Sequence, residues 1–185
     1  LWDHADLDEV FREAHAQIER AILWGFDVTY LSSHLGAMER RAEFFGVYLE
    51  LAEEYRLPVR LPSASDQRSL GVPLSSLAAQ AGVLSPDHVV AVRGGSARGT
   101  IEQALSNLEP GVTELRLRPA VDTPELRALG GDWADRVGDL DVAMDADISV
   151  LMQRAGAELI GWAELRRAMG RRSGSSVEAA RTGRT

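Results

Sequence analysis

Between Asp6 and Trp24, apolar side chains fall at Leu7, Val10, Phe11, Ala14, Ile18, Ala21 and Ile22. That three-and-four spacing gathers them on one face of a helix, and Gly25 is placed to end it. A second stripe, Phe44, Val47, Tyr48, Leu51 and Ala52, predicts a helix from Glu39 to Tyr55. Between the two, Val28-Thr29-Tyr30-Leu31 reads as a buried strand that runs through Ser32 and Ser33 into His34, followed closely by Gly36. After the second helix comes a short extended run, "LPVRLP" (Leu57 to Pro62), bounded by prolines that a helix interior would not accept.

The alternation continues. "HVVAVRG" (His88 to Gly94), "VTELRLRP" (Val112 to Pro119) and "GAELIGW" (Gly156 to Trp162) read as strands, and helices are expected near Ala97 to Leu108, Trp133 to Met144, Asp147 to Ala155 and Trp162 to Met169. Ser63 to Ser76 and Arg93 to Gly99 read as loops, and the glycines of the second lack the spacing of a phosphate-binding loop. Strands alternating with helices imply an α/β fold with a mostly parallel sheet and outer helices, and four or five strands are too few to close an eight-stranded barrel. Residues 1–169 are expected to form one domain, and the polar, Gly/Ser-rich stretch 170–185 a disordered tail.

Composition narrows the function classes. The 185 residues carry 20 basic and 28 acidic side chains, a formal charge of -8, which argues against a nucleic-acid partner because phosphates call for a basic face. Cysteine is absent, so a metal would have to be held by His, Asp or Glu. No apolar run is long enough to span a bilayer. The expectation is a soluble, cytoplasmic protein acting on a small polar substrate.

In parallel α/β sheets, binding groups collect where strands end. His34 ends the first strand, Arg60 lies in the next and Arg118 ends "ELRLRP", so the three are expected on one rim. Each also has a plain reading: a lone histidine after a strand is more often a hydrogen-bonded surface group, and the arginines serve equally as ion-pair partners. His4, His15 and His88 are read as structural.

The blocks "VTYLSSHLGAM…FFGVYLELAEEYRLPVRLPS", "GVTELRLRPAVDTPELRAL" and "AGAELIGWAELRRAM" resemble, in order, the YdjC-like carbohydrate deacetylases of the ChbG/HpnK type. The resemblance runs from about Asp6 to Met169. It implies a distorted (β/α) barrel hydrolase that removes the N-acetyl group of an acetylated amino sugar or oligosaccharide. A divalent metal, zinc or magnesium, would be held by one Asp and two His, polarising the acetyl carbonyl and acidifying a water. In the family's Thr-His-x-Asp-Ser-His strand the last His is a ligand, and His34, preceded by Ser33, matches it. Arg60 is the candidate substrate contact.

The departures matter as much. Tyr30 stands at the motif's first His, Ser32 at its Asp, and Arg118 at a later family His that precedes Pro; arginine stays protonated near neutral pH and moves no proton. The sequence opens at Leu1 almost directly in a helix, and the family's amino-terminal strand with its Asp pair and the other metal His has no counterpart here. The fold is therefore expected to be a partial barrel, the carboxyl-terminal two thirds of the family fold, with weak or absent metal binding and no intact catalytic set. Two readings follow: a truncated, partly degenerate deacetylase, or a non-catalytic sugar-binding or partner-binding remnant. Missing strands would leave a bare sheet edge, so dimerisation or poor solubility is expected.

Overall fold

A computed structural model describes residues 2–92 and 96–171. They gather into two compact units: 1–85 with the segment from 160 onward, and Pro86–Leu159. The sequence pattern predicts a single α/β domain over 1–169.

The first unit opens with α1 (Leu7–Leu23), capped by Asp6, whose carboxylate accepts from the Glu9 amide at 3.0 Å. Its end is a Schellman turn: Gly25, at φ +84°, donates to Ile22 and Phe26 donates to Ala21. The helix ends where the glycine predicts. α2 (Ala42–Glu54) starts three residues later than the apolar stripe suggests, because Leu35 (φ 52°) and Gly36 (φ 67°) turn the chain left-handed in a 3-10 turn at His34–Gly36. Between them, Leu31 forms a parallel bridge with Val59. Both expected strands thus meet, but as one bridge rather than a ladder.

Prolines at 58 and 62 leave few amides for a longer ladder. Ser63 to Ser76, expected as a loop, instead forms α3 (Ala64–Leu70) and leads into α4 (Leu74–Gln80). The physical reason is capping: the Ser63 hydroxyl accepts from the Asp66 amide at 3.2 Å, and Gly71 at φ 70° ends the helix. Serine density signalled a cap, not a coil. A last helix, α9, covers 162–171. The core of this unit is Phe45, Leu51, Leu57, Val59, Leu74 and their neighbours, supplied chiefly by α2, the 57–61 segment and α4.

The second unit pairs β1 (His88–Ala91) with β2 (Thr113–Arg116), parallel, with His88 opposite Thr113. Between them runs α5 (Ala97–Ser106); after them come α6 (Pro124–Leu129), α7 (Trp133–Ala143) and α8 (Ala146–Arg154). Its core is Val92, Ala97, Ile101 and Leu105 against Leu115, Leu117 and Ile148. Of the glycine-rich loop at 93–99, residues 93–95 lie outside the described residues, and Ala97 to Gly99 are the first turn of α5. The strand expected at 156–162 is not formed. Gly156 (φ 67°) ends α8, and adjacent Leu159 and Ile160 are 79% and 41% exposed, without the alternation that a paired strand needs. The tail expected from Gly170 lies, from 172 on, outside the described residues. No helix among the described residues is long and apolar enough to cross a membrane.

Candidate functional site

His34 stands where the sequence places it, just past the bridged Leu31, in the turn that leads toward α2. The turn is built from its own residues. Ser33 accepts from the Met38 amide at 3.1 Å and donates to Glu39 at 2.6 Å, and Ala37 donates to the His34 carbonyl at 3.1 Å. Glu39 is only 3% exposed. His34 itself is exposed, and its imidazole makes no hydrogen bond among the described residues.

Sequence reasoning missed Glu39, which was read as the outer start of a helix. A glutamate beside "ERR" carries no signal of burial; only the left-handed turn brings it back over Ser33.

Below the turn, Tyr48 on α2 fastens the two extended segments. Its hydroxyl donates to the Leu31 carbonyl at 2.7 Å and reaches the Arg60 carbonyl at 3.5 Å. Burial, reinforced by the charge of Glu39, holds its ionisation well above the ordinary phenol range. Tyr48 is a neutral donor at any physiological pH.

Tyr30, Ser32, Ser33 and His34 line one groove of about 600 Å³, closed on its far side by α1. Tyr30 stacks on Trp162 with centroids 4.4 Å apart and planes 15° apart. The Tyr30 ring is thus fixed by packing. Arg60 does not line the groove. It is half-buried on the neighbouring segment, and its amide donates to the Leu31 carbonyl at 2.9 Å.

Arg118 belongs to the second unit. Its guanidinium pairs with Asp132 at 2.8 Å, and its amide donates to Asp139 at 2.7 Å, the latter carboxylate being 4% exposed. Two of the other histidines have structural surroundings: His15 sits between Phe11 and Tyr55 and contacts Glu54 at 3.3 Å, and His88 contacts the Pro110 carbonyl at 3.4 Å.

A divalent cation held tightly needs three or more converging ligands. Among the described residues no three His, Cys, Asp or Glu side chains come together in that way. By themselves these residues do not fit a tightly held divalent cation, His34 being a single exposed imidazole.

Comparison with known proteins gives these groups a context. A carbohydrate deacetylase of Thermus thermophilus is 36% identical over 146 residues, covering 75% of this chain and 53% of that protein. A carbohydrate deacetylase of Thermoanaerobacter pseudethanolicus is 26% identical over 148 residues, covering 79% and 55%. The chain thus spans about half the length of the curated relatives it matches. Among solved structures, an Enterococcus faecalis protein provisionally described as a cellobiose-phosphate cleavage protein superimposes with a TM-score of 0.70 at 22% identity. That match covers 88% of this chain and 62% of that one, and shows a shared fold. The family model described as YdjC-like protein matches residues 1–154, and with the Thermus relative it establishes that this chain belongs to the YdjC-like family.

Proposed function

We propose that the protein of which these residues form part is a carbohydrate deacetylase, hydrolysing the N-acetyl group of an amino sugar or oligosaccharide. The observation that carries the reading is the 36% identity to the Thermus carbohydrate deacetylase over three quarters of the chain. In this reading the two short parallel pairings are pieces of a distorted (β/α) barrel. His34, exposed at a strand end and beside a groove, is one ligand of a divalent cation, zinc or magnesium, whose remaining ligands lie outside the described residues. The cation would polarise the acetyl carbonyl and lower the pKa of a bound water. Arg60 is proposed as a contact to the sugar. The protein is proposed to be cytoplasmic, and to form a homodimer through the exposed Leu23, Trp24 and Phe26.

A second reading is that the family's fold persists here as a degenerate copy that binds a sugar or a partner without turning it over. Two observations favour it. Tyr30 is held by its stack on Trp162, and the Arg118 guanidinium is tied to Asp132, so neither is placed to act as general acid or base. The experiment that separates the readings is calorimetric titration of chelator-treated protein with zinc, with His34→Ala alongside, followed by acetate release from acetylated chitooligosaccharides. Metal binding lost in the variant, together with acetate release, supports the enzyme. Sugar binding with neither supports the remnant.

A further inference from the structure

Arg136 is half-buried on α7, and its Nε is shut off from solvent. Its guanidinium makes no hydrogen bond and no ion pair among the described residues, and no other side-chain nitrogen or oxygen among them is buried without a partner. On the strand that leads to it the charges are matched. Glu114 and Arg116, on one face of β2, join at 2.7 Å. Arg118, next on that face, pairs with Asp132 at 2.8 Å and gives its amide to Asp139 at 2.7 Å.

Competition for acceptors explains the exception. Asp132 and Asp139 stand four residues before and three after Arg136, on its own face of α7, and Arg118 engages both. The Arg136 carbonyl accepts from the Ala120 amide at 3.0 Å, which fixes the segment leaving β2 against this turn of the helix. A charged donor shielded from water and left without an acceptor is costly, and a fold that keeps one calls for a ligand or an ion to meet it. The atom concerned sets the chemistry. Nε and the neighbouring Nη present two parallel N–H groups at the spacing of two oxygens of one carboxylate or phosphate. A sugar hydroxyl offers one oxygen and no charge.

We propose that Arg136 binds the oxyanion group of a small ligand, a carboxylate or a phosphate, through this edge, and that Arg118 keeps Asp132 and Asp139 from closing on it. The place suits a ligand, since the segment held against Arg136 is the one that leaves the carboxyl end of β2, where parallel strands gather their binding groups. With a formal charge of -8 the chain has no general attraction for anions, so what binds does so by local geometry. This inference goes beyond the deacetylase reading and does not rest on it.

The test follows the Arg136 Nε–H signal of the isotopically labelled full protein by NMR during titration with sodium phosphate and sodium acetate. Sodium chloride and N-acetylglucosamine serve as controls. The expected result is a saturable shift with phosphate, acetate or both, and none with either control. Phosphate alone would assign the site to a phosphoryl group, and acetate alone to a carboxylate. Arg136→Lys keeps the charge but loses the parallel pair of donors, and binding is expected to fall about tenfold or more. The proposal is overturned if neither oxyanion gives a saturable shift, if a control matches them, or if Arg136→Lys binds as tightly as the parent. It is overturned too if the Nε–H of the free protein is already protected from exchange and no anion changes it, since a carboxylate of the protein itself then meets the edge. The first readout is on the parent protein and decides the matter even if the variant does not fold.

Discussion

The Ser33 hydroxyl donates to the Glu39 carboxylate at 2.6 Å, across a left-handed turn that carries His34. Through this bond a carboxylate that is 3% exposed stays in register with the end of a strand. A buried carboxylate is tolerated only where its oxygens are satisfied, so the turn and the charge depend on one another.

Glu39→Ala is therefore expected to destabilise the first unit by about 1–3 kcal/mol, because it removes the acceptor of a partly buried hydroxyl and leaves a gap. Glu39→Gln, which can still accept from Ser33, is expected to cost less. Denaturant midpoints of the three proteins check this. Equal stability of Glu39→Ala and the parent would show that the Ser33 bond contributes nothing.

Leu35 sits at φ 52° and is 81% exposed, so its side chain adds strain without packing. Leu35→Gly is expected to stabilise the turn or leave it unchanged, within about 1 kcal/mol, the relief of strain being offset by the freedom of glycine in the unfolded chain. Leu35→Pro is expected to disrupt the turn, because proline cannot reach positive φ. Thermal melts distinguish the two, and a Leu35→Pro variant as stable as the parent would contradict the left-handed geometry.

Tyr48 is buried with its hydroxyl on the Leu31 carbonyl, and burial raises its ionisation. A raised folded pKa gives stability that is fully present below the ordinary tyrosine value and is lost as pH climbs past it toward the folded value. Absorbance titration should accordingly show Tyr48 ionising only as the unit unfolds in alkali. Tyr48→Phe should remove that coupling and cost about 0.5–1.5 kcal/mol at neutral pH. Free titration of all three tyrosines in folded protein would refute this.

In acid the sign reverses. Hydrogen bonds from Arg127, at 2.6 Å, hold the Asp122 carboxyl below its usual range. At the start of α6, its own amide and then the Thr123 hydroxyl hold Glu125 low. At the start of α9, Glu164 is held low by its own amide and by that of Gly161, which it accepts at 3.0 Å in half of a capping box. For lowered carboxylates the contribution is present above the unfolded pKa and is lost as pH falls through the folded one. All three are exposed, so each effect is small, but melting temperatures should decline through the carboxylate range. Asp122→Asn should flatten its share of that decline, and an unchanged profile would show that the Arg127 pair does not couple to folding.

The sequence by itself determined the elements whose causes are local. The stripe from Leu7 to Ile22 with Asp6 before it and Gly25 after it specifies α1, because cap, periodicity and left-handed stop lie within one short stretch. β1, β2, α5, α7 and α8 also form where the pattern predicts them, the two strands because each finds the other as its neighbour, and His34 lies in the turn just past the bridged Leu31. What failed at this level was turn chemistry. Ser63 and Gly71 bound a helix where serine content suggested a loop, and Gly156 with Leu159 and Ile160 gave no strand, since a strand exists only if a neighbour pairs with it.

Only the tertiary structure decided the rest. That Glu39 is buried over Ser33, that Tyr48 joins the carbonyls of Leu31 and Arg60, and that Tyr30 rests on Trp162 all depend on contacts between residues 6 to 132 positions apart. Periodicity records which face of an element is apolar, but not what lies opposite it. Burial and pairing are properties of two surfaces, and the sequence lists them one at a time.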